Sequence, residues 1–311
     1  MKILYGIQLT GNGHINRSMK IIAKLRSLGH DVEIMTSGGC SDIEFDSLYT
    51  YSGFTFQYKN GSIDWIKTML SSRVLRFMKD IFDKNRNWDL VISDFEPVSA
   101  WKAKVFKIKS ISISNQNTPI LLRTRGGLSK FFMRFFCPTD FRLGFDYTSS
   151  KNVYFPIIDD GIVNKKDTGR VVVYLPYLNQ KEVFETLNLT GLEFVLFTNS
   201  NLESNNLIEV SKISKISFQN NLSDCSGVIT HCGFSTTSEA LILGKKLWAI
   251  PIKSQWEQKL NSLKLKKLGI YTDDLSVNNF NNWQKHRPID YRWIDPCGDI
   301  IKKIIEIYEK S

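Results

Sequence analysis

Long hydrophobic runs are absent from this 311-residue sequence. No apolar stretch approaches the roughly 20 residues that span a bilayer. A secretory leader is also missing, because Lys2 is followed at once by a short β-like run, Ile3-Leu4-Tyr5-Gly6-Ile7. These absences predict a soluble protein of the cytoplasm, either bacterial or, for a viral protein, of the host. Cysteine is sparse: Cys40, Cys137, Cys225, Cys232 and Cys297 are odd in number and form no C-x-x-C pair. That excludes a disulfide framework and fits a reducing compartment. Histidine is scarcer still. His14, His30, His231 and His286 are scattered without ligand spacing, so no metal site is expected.

Acidic residues are missing from one long stretch. Residues 97–139 contain none, yet they carry Lys102, Lys104, Lys107, Lys109, Arg123, Arg125, Lys130 and Arg134. The formal net charge is +10 and unevenly placed. Residues 1–150 hold 21 Lys and Arg against 13 Asp and Glu, an excess of +8, whereas residues 151–311 hold 20 against 18, an excess of +2. The asymmetry points to an anionic partner for the N-terminal half, with a solvated basic face as the alternative.

What is present is an ordinary globular balance, 42% hydrophobic and 23% charged, long enough for one large or two medium domains. An apolar strand over residues 2–9 leads into a loop, Thr10-Gly11-Asn12-Gly13-His14. A helical pattern follows, with Ile15, Met19, Ile22 and Leu25 on one face, ended by Gly29. A second strand spans residues 31–35. This βαβ opening implies a parallel sheet. The rhythm recurs with helices at 73–83 and 100–105 and strands at 89–93 and 111–113. After a polar loop at 159–169 it starts again, with strands at 171–175, 194–197, 227–230 and 247–250. Helices are expected at 180–187, 236–243, 256–267 and 299–309. The fold class is therefore α/β with two Rossmann-like domains. We place a first domain at 1–152, a second domain at 153–295, and a last helix at 296–311 that is expected to pack back on the first.

The most informative segment begins at Val228. A strand ends at Thr230, and a small-residue loop, His231-Cys232-Gly233, feeds a helix that carries Ser235, Thr236, Thr237 and Glu239. Backbone N–H groups at such a helix start, with those hydroxyls and His231, can hold a diphosphate. The Glu239 carboxylate can accept both hydroxyls of a ribose. Glu257 and Gln258 follow the next strand and can bond sugar hydroxyls. A simple helix cap, Ser or Thr followed by Glu, is the competing reading. Near the strand 1 tip, His14 can take a proton from a hydroxyl. It needs an orienting carboxylate, which Asp94 or its rival Glu96 would supply. A purely local hydrogen-bonding role for His14 is the alternative. Gly11-x-Gly13 lacks the third glycine of a dinucleotide fingerprint.

His231-Cys232-Gly233-Phe234, then Ser235-Thr236-Thr237 and Glu239, with the later Glu257-Gln258, resembles the donor signature of GT-B glycosyltransferases, especially the UDP-glycosyltransferases and their MurG-like relatives. Gly13-His14-Ile15-Asn16, Ala23-Lys24-Leu25 and Gly29-His30-Asp31-Val32 resemble the family's N-terminus. The resemblance implies two Rossmann-like domains whose parallel sheets face a central cleft. It assigns His14 as general base, with Asp94 polarising it. It also places Gly13, His231, Gly233, Ser235, Thr236 and Thr237 on the donor, Glu239 on the ribose, and Glu257 and Gln258 on the sugar. Phe218 would meet the nucleobase. The co-substrate would be a nucleotide sugar, UDP-linked, donating a hexosyl or pentosyl group, with no cofactor and no metal. Eight positions after Glu239 stands Leu247, so no retaining-type glutamate pair is present and inversion is expected.

The acceptor should meet the N-terminal domain through Glu96, Arg123, Arg125, Lys130 and Arg134. The segment Leu128 to Phe136 is both aromatic and basic, which suits phosphates with stacked bases or an anionic bilayer. The compact, basic chain is similar to bacteriophage DNA glycosyltransferases. We therefore favour a hydroxymethylated DNA base over a membrane lipid, with a small molecule third. A non-catalytic nucleotide-sugar or nucleic-acid binder would lack the need for a base, and a nucleotide-sugar epimerase would need further carboxylates around the sugar.

Overall fold

The computed structural model describes residues 1–9, 12–38, 49–51, 58–59, 62–63, 74–83, 87–122, 127–252 and 255–310. The chain divides into two compact units, residues 1–159 with 294–311, and residues 160–293.

The first unit opens with β1 (Lys2–Gln8), α1 (Asn12–Ser27), β2 (Asp31–Ser37) and β3 (Tyr49–Tyr51). The short strands β4 (Tyr58–Lys59) and β5 (Ser62–Ile63) pair with each other, antiparallel. Then come α2 (Val74–Phe82), β6 (Leu90–Asp94), α3 (Pro97–Phe106) and β7 (Ser110–Ile113). The unit continues with α4 (Thr118–Leu121), α5 (Gly127–Phe136), β8 (Phe141–Phe145) and β9 (Val153–Tyr154). Seven strands form one sheet in the order β3-β2-β1-β6-β7-β8-β9, and each pairing is parallel. Strands β1 and β6 read as unbroken apolar runs because both sheet faces are covered: Ile3, Leu4, Tyr5, Ile7, Leu90, Val91 and Ile92 are fully buried. Strand order reverses between β1 and β6, which run side by side with Ile7 opposite Asp94. A crevice at the carboxyl ends of such a pair is where open α/β sheets bind ligands.

Gly6 is what lets α3 seat against β1. A Cβ there would lie 2.1 Å from Ser99 Oγ and 2.9 Å from a Glu96 carboxylate oxygen. Any side chain would push the first turn of α3 off the sheet.

The second unit contains β10 (Val171–Tyr174), α6 (Gln180–Asn188), β11 (Phe194–Phe197), β12 (Ile208–Ser211) and α7 (Lys215–Asp224). It ends with β13 (Gly227–His231), α8 (Phe234–Ile242), β14 (Lys246–Ile250), α9 (Trp256–Lys267) and α10 (Val277–Lys285). Its sheet order is β12-β11-β10-β13-β14, again parallel throughout. Here the order reverses between β10 and β13. One face packs Trp248 and Ile250 against Val183 and Leu187 of α6 and Phe280 and Trp283 of α10. The last helix, α11 (Cys297–Glu309), belongs to the first unit and packs against α1. A Lys20–Asp295 ion pair at 2.8 Å lies just before it, and Lys109 Nζ donates to Tyr308 O at 2.8 Å. Among the described residues no helix is long and apolar enough to cross a membrane, and Cys137, Cys225, Cys232 and Cys297 are buried and in no disulfide.

Candidate active site

In the first unit, the reversal between β1 and β6 brings His14 and Asp94 together. His14 sits in the first turn of α1, fed by the tip of β1, and Asp94 is the last residue of β6. His14 Nδ1 lies 2.8 Å from Asp94 Oδ1. The Asp94 side chain is wholly buried, while His14 keeps 12% of its side chain accessible, so the imidazole is the member of the pair that meets solvent. Burial alone would push the Asp94 carboxyl upward. The charges of Arg17 and then His14 outweigh it and hold the group below the ordinary carboxylate range. Arg17 grips both carboxylate oxygens, with Nε donating to Oδ2 at 2.7 Å and Nη2 to Oδ1. Ser18 Oγ donates to Oδ2 at 2.9 Å. Asp94 is thus an ionised acceptor with its lone pairs engaged, aimed at one imidazole nitrogen.

Glu96, the rival carboxylate, does different work. It is fully buried and caps α3. Its Oε1 accepts from Val98 N at 2.8 Å and from Ser37 Oγ, and its Oε2 accepts from Ser99 N at 2.6 Å. Both oxygens face the helix start, so the carboxylate that reaches His14 is Asp94. A buried cap presents no face to an acceptor, contrary to the expectation that placed Glu96 there. Between them, Phe95 has φ 53, a left-handed conformation that is costly for a bulky residue. That turn carries the chain from the Asp94 tip back onto α3, and the Phe95 ring packs 4.9 Å from that of Phe136 on α5.

In the second unit the reversal between β10 and β13 carries the donor-type segment. The N-cap of α8 is Gly233, with no side-chain cap, so the capping-box reading does not hold. Gly233 has nothing within 4 Å of where a Cβ would stand, which leaves the backbone N–H groups of the first turn open to approach. Ser235, Thr236 and Glu239 are half-buried on this helix. Thr237 is buried and its hydroxyl donates to Gly233 O at 2.7 Å, so its contribution here is to brace the turn. His231 ends β13. Its Nδ1 lies 3.0 Å from Ile250 O, and Tyr177 N donates to its Nε2 at 3.4 Å. Burial holds this imidazole below its ordinary value, against the Ile250 carbonyl, which favours the charged form. A neutral ring with Nδ1–H on Ile250 and Nε2 accepting has no N–H left for an anion. A cavity of about 400 Å³ at the carboxyl ends of β10, β13 and β14 is lined by Tyr177, Asn179, Glu182, His231, Ile252 and Asp274, among others.

Gln258 is buried on α9 and its Oε1 accepts from Ile252 N at 3.3 Å, whereas Glu257 is exposed in the first turn. Phe218 on α7 packs edge-on against Tyr174 and Phe197, at 5.5 and 5.2 Å between centroids. These rings gather at the ends of β10 and β11. Gly13 lies in the first turn of α1 beside His14. On α5, Lys130 is half-buried and Arg134 exposed, while Arg123 and Arg125 lie outside the described residues. No group of three His, Cys, Asp or Glu that could hold a metal occurs among the described residues. Arg17, Ser18 and Tyr177 were not singled out in the sequence. An Arg one turn after a His on a helix reads as a solvent-facing charge until the neighbouring strand is known.

The glycosyl transferase family 1 profile matches residues 1–288. No curated protein sequence matches. Among solved structures, the chain is similar to the glycotransferase of kitacinnamycin, with TM-score 0.66 and 14% identity, covering 99% of this chain and 94% of that one. It is similar to Os79 from O. sativa, solved with U2F and trichothecene, with TM-score 0.64 and 12% identity over 99% and 95% of the two chains. A ugt transferase from Siraitia grosvenorii, solved with UDP, gives TM-score 0.59 and 13% identity over 100% and 94%. At these identities the structural likeness is one of fold, and the fold is GT-B.

Proposed function

Since the chain belongs to glycosyl transferase family 1 and is a glycosyltransferase, we propose that it moves a sugar from a UDP-sugar to an acceptor hydroxyl, with inversion and without a metal. The observation that carries this reading is the His14–Asp94 contact of 2.8 Å at the reversal point of the first sheet. A protein that only binds a nucleotide sugar has no use for a buried, ionised carboxylate aimed at a partly exposed imidazole.

In the reaction, His14 Nε2 takes the acceptor proton as the acceptor oxygen attacks the anomeric carbon. The bond from that carbon to the diphosphate oxygen breaks from the opposite side, and its electron pair leaves with UDP. Asp94 holds the imidazolium that forms, as an orienting carboxylate does beside a general base. The second unit binds the donor. The amides at the start of α8 receive the diphosphate and stabilise its growing charge. Glu239 accepts from the ribose, Glu257 and Gln258 meet the sugar, and Phe218 with its aromatic neighbours meets the base. The UDP bound to the Siraitia grosvenorii relative supports the choice of nucleotide.

The test is a donor screen by mass spectrometry, followed by UDP titration and turnover of two variants. His14→Ala should bind UDP as the parent does and lose turnover by about 10²–10⁴-fold. Glu239→Ala should weaken UDP binding. A His14→Ala enzyme with parental turnover would remove the base assignment, and unchanged UDP affinity in Glu239→Ala would remove the ribose contact.

For the acceptor, the acid-free basic stretch 97–139 supports DNA bearing hydroxymethylated bases. A second reading is favoured by α5, where Phe131 and Phe135 are 64% and 58% exposed beside Arg134. Such a face also suits a lipid acceptor at an anionic membrane surface.

A further inference from the structure

The His14–Asp94 pair is not a dyad standing alone. Arg17, three residues after His14 on α1, is only 5% exposed and makes no use of its charge at the surface. Its Nε donates to Asp94 Oδ2 at 2.7 Å and its Nη2 to Asp94 Oδ1, a two-pronged grip. Nη1 reaches Asn115 Oδ1 at 3.3 Å, and the guanidinium carbon lies 5.4 Å from the centroid of the Phe145 ring. The same Nη2 is 2.8 Å from His14 Nδ1. Nη2 can only donate. His14 Nδ1 therefore either accepts from Arg17, which leaves the proton on Nε2, or donates to Asp94, which leaves Nε2 with its lone pair. The Asp94 charge decides between the two, and Arg17 fixes where that charge stands.

We propose that Arg17 is a positioning residue of the transfer reaction: its fork holds the Asp94 carboxylate so that His14 Nδ1–H points to Asp94 and Nε2 is left free to accept the acceptor proton. The inference rests on His14 being the base. Among the described residues, few other groups face Asp94. His14, Ser18 and Arg17 come from α1. Tyr5 comes from β1, its phenol pushed up by burial and then by the Asp94 charge, with Cys297 of α11 a smaller influence on that phenol. Among the described residues, Arg17 is the strong cation that pairs with this fully buried carboxylate. Lysine would keep the charge but lose the bidentate geometry.

The experiment compares Arg17→Met, Arg17→Lys and His14→Ala with the parent by three readouts: UDP affinity, kcat, and the pH profile of kcat/KM. Arg17→Met should keep parental UDP affinity, because the donor binds the second unit. Its kcat should fall about 10- to 100-fold, the scale seen when an outer partner of a reactive group is lost. The acid limb of its profile should move to higher pH. Removing a cation from beside the ring while the carboxylate stays favours the protonated imidazole, so the base is lost sooner as pH falls. Arg17→Lys should return the limb to its parental position yet remain about 10-fold slow, because the fork is gone. A merely structural Arg17 would lower kcat and UDP affinity together and leave the limb where it was. If Arg17→Met shows no cooperative melt, Arg17→Lys decides alone, and parental kcat in that variant overturns the proposal. An inert His14→Ala beside parental Arg17 variants would sink the positioning role and spare the base. Parental turnover in His14→Ala would sink both.

Discussion

Asp94 and Glu96 are two residues apart, both fully buried, and driven in opposite directions by their surroundings. Arg17 and His14 overcome burial at Asp94 and hold its carboxyl below the ordinary value. At Glu96 burial wins over the bonds from Ser37, Ser99 and Val98, and the carboxyl is pushed up. By linkage, Asp94 adds stability above its unfolded-state value and loses it as pH falls through the folded one. Glu96 contributes most below its unfolded-state value, and that share is lost as pH rises through its raised folded value. The two also differ in what their neutral isosteres should do. Asp94→Asn should cut kcat by about 10²–10⁴-fold with UDP affinity kept, since an amide cannot hold an imidazolium. Glu96→Gln should leave kcat within a few-fold. It should cost about 1–3 kcal/mol in urea denaturation, because its NH₂ group would replace an oxygen that accepts from Ser99 N or Val98 N. Loss of turnover in Glu96→Gln with full stability would reassign the two carboxylates. The positions of His14 and Asp94 at strand tips were legible in the sequence, because His14 comes soon after one apolar run and Asp94 ends another. Glu96 is ambiguous in the sequence, and its place immediately before Pro97, a favoured first helical residue, makes it the cap of α3.

Elements with strong apolar runs were legible at once. Strands β1, β6, β10, β11, β13 and β14 fall where short apolar runs place them. Strand β12, Ile208-Glu209-Val210-Ser211, is not legible in the sequence, because a polar edge strand carries a weaker apolar signal than a buried one. Helix α7 has Ile216, Phe218 and Leu222 among polar residues, without a clear stripe. The start of α8 was expected at residue 236 and lies at Phe234, with Gly233 as its cap. This shift matters chemically. Ser235 and Thr236 lie inside the first turn and do not cap it, so the helix start is kept open. Gly233→Ala should test that. Nothing within 4 Å crowds the new methyl group, so the loss of stability should stay near 1 kcal/mol, the scale of a poorer N-cap. UDP affinity should nonetheless fall by about 10-fold or more, because the methyl group stands where backbone must meet phosphate. Equal UDP affinity in this variant would take the diphosphate away from α8. A further element-level test lies at the end of α3, where Lys107 closes the helix with φ 54. Lys107→Gly should stabilise the protein by about 0.5–1 kcal/mol in urea, since glycine adopts that conformation without steric cost.

At the scale of the whole molecule, the open question is what meets the basic half, and the structure narrows which charges can take part. Lys102 is buried and donates to Asp83 O at 3.3 Å, and Lys109 donates to Tyr308 O at 2.8 Å. Neither is poised for a partner. Lys104, Lys107 and Arg134 are exposed and Lys130 is half-buried. If this half grips DNA, binding should weaken steeply with salt, because each phosphate contact releases condensed counterions. Neutralising Lys104, Lys107, Lys130 or Arg134 should lower the log–log salt slope by about 1 for each true contact. Lys109→Gln should leave the slope unchanged. Phe131→Ser and Phe135→Ser should weaken DNA binding only so far as those rings stack on unpaired bases. A membrane acceptor gives another pattern. Binding to vesicles should require acidic lipid, and Phe131→Ser or Phe135→Ser should weaken it as much as Arg134→Gln does. Filter binding and vesicle sedimentation, run on the same variants across a salt series, separate the two. Salt-insensitive or absent DNA affinity, with no sugar passed to hydroxymethylated bases, ends the DNA reading. Loss of vesicle binding on removing either phenylalanine then assigns α5 to the lipid surface. Indifference to both partners leaves a solvated basic face and directs the search to small hydroxyl acceptors.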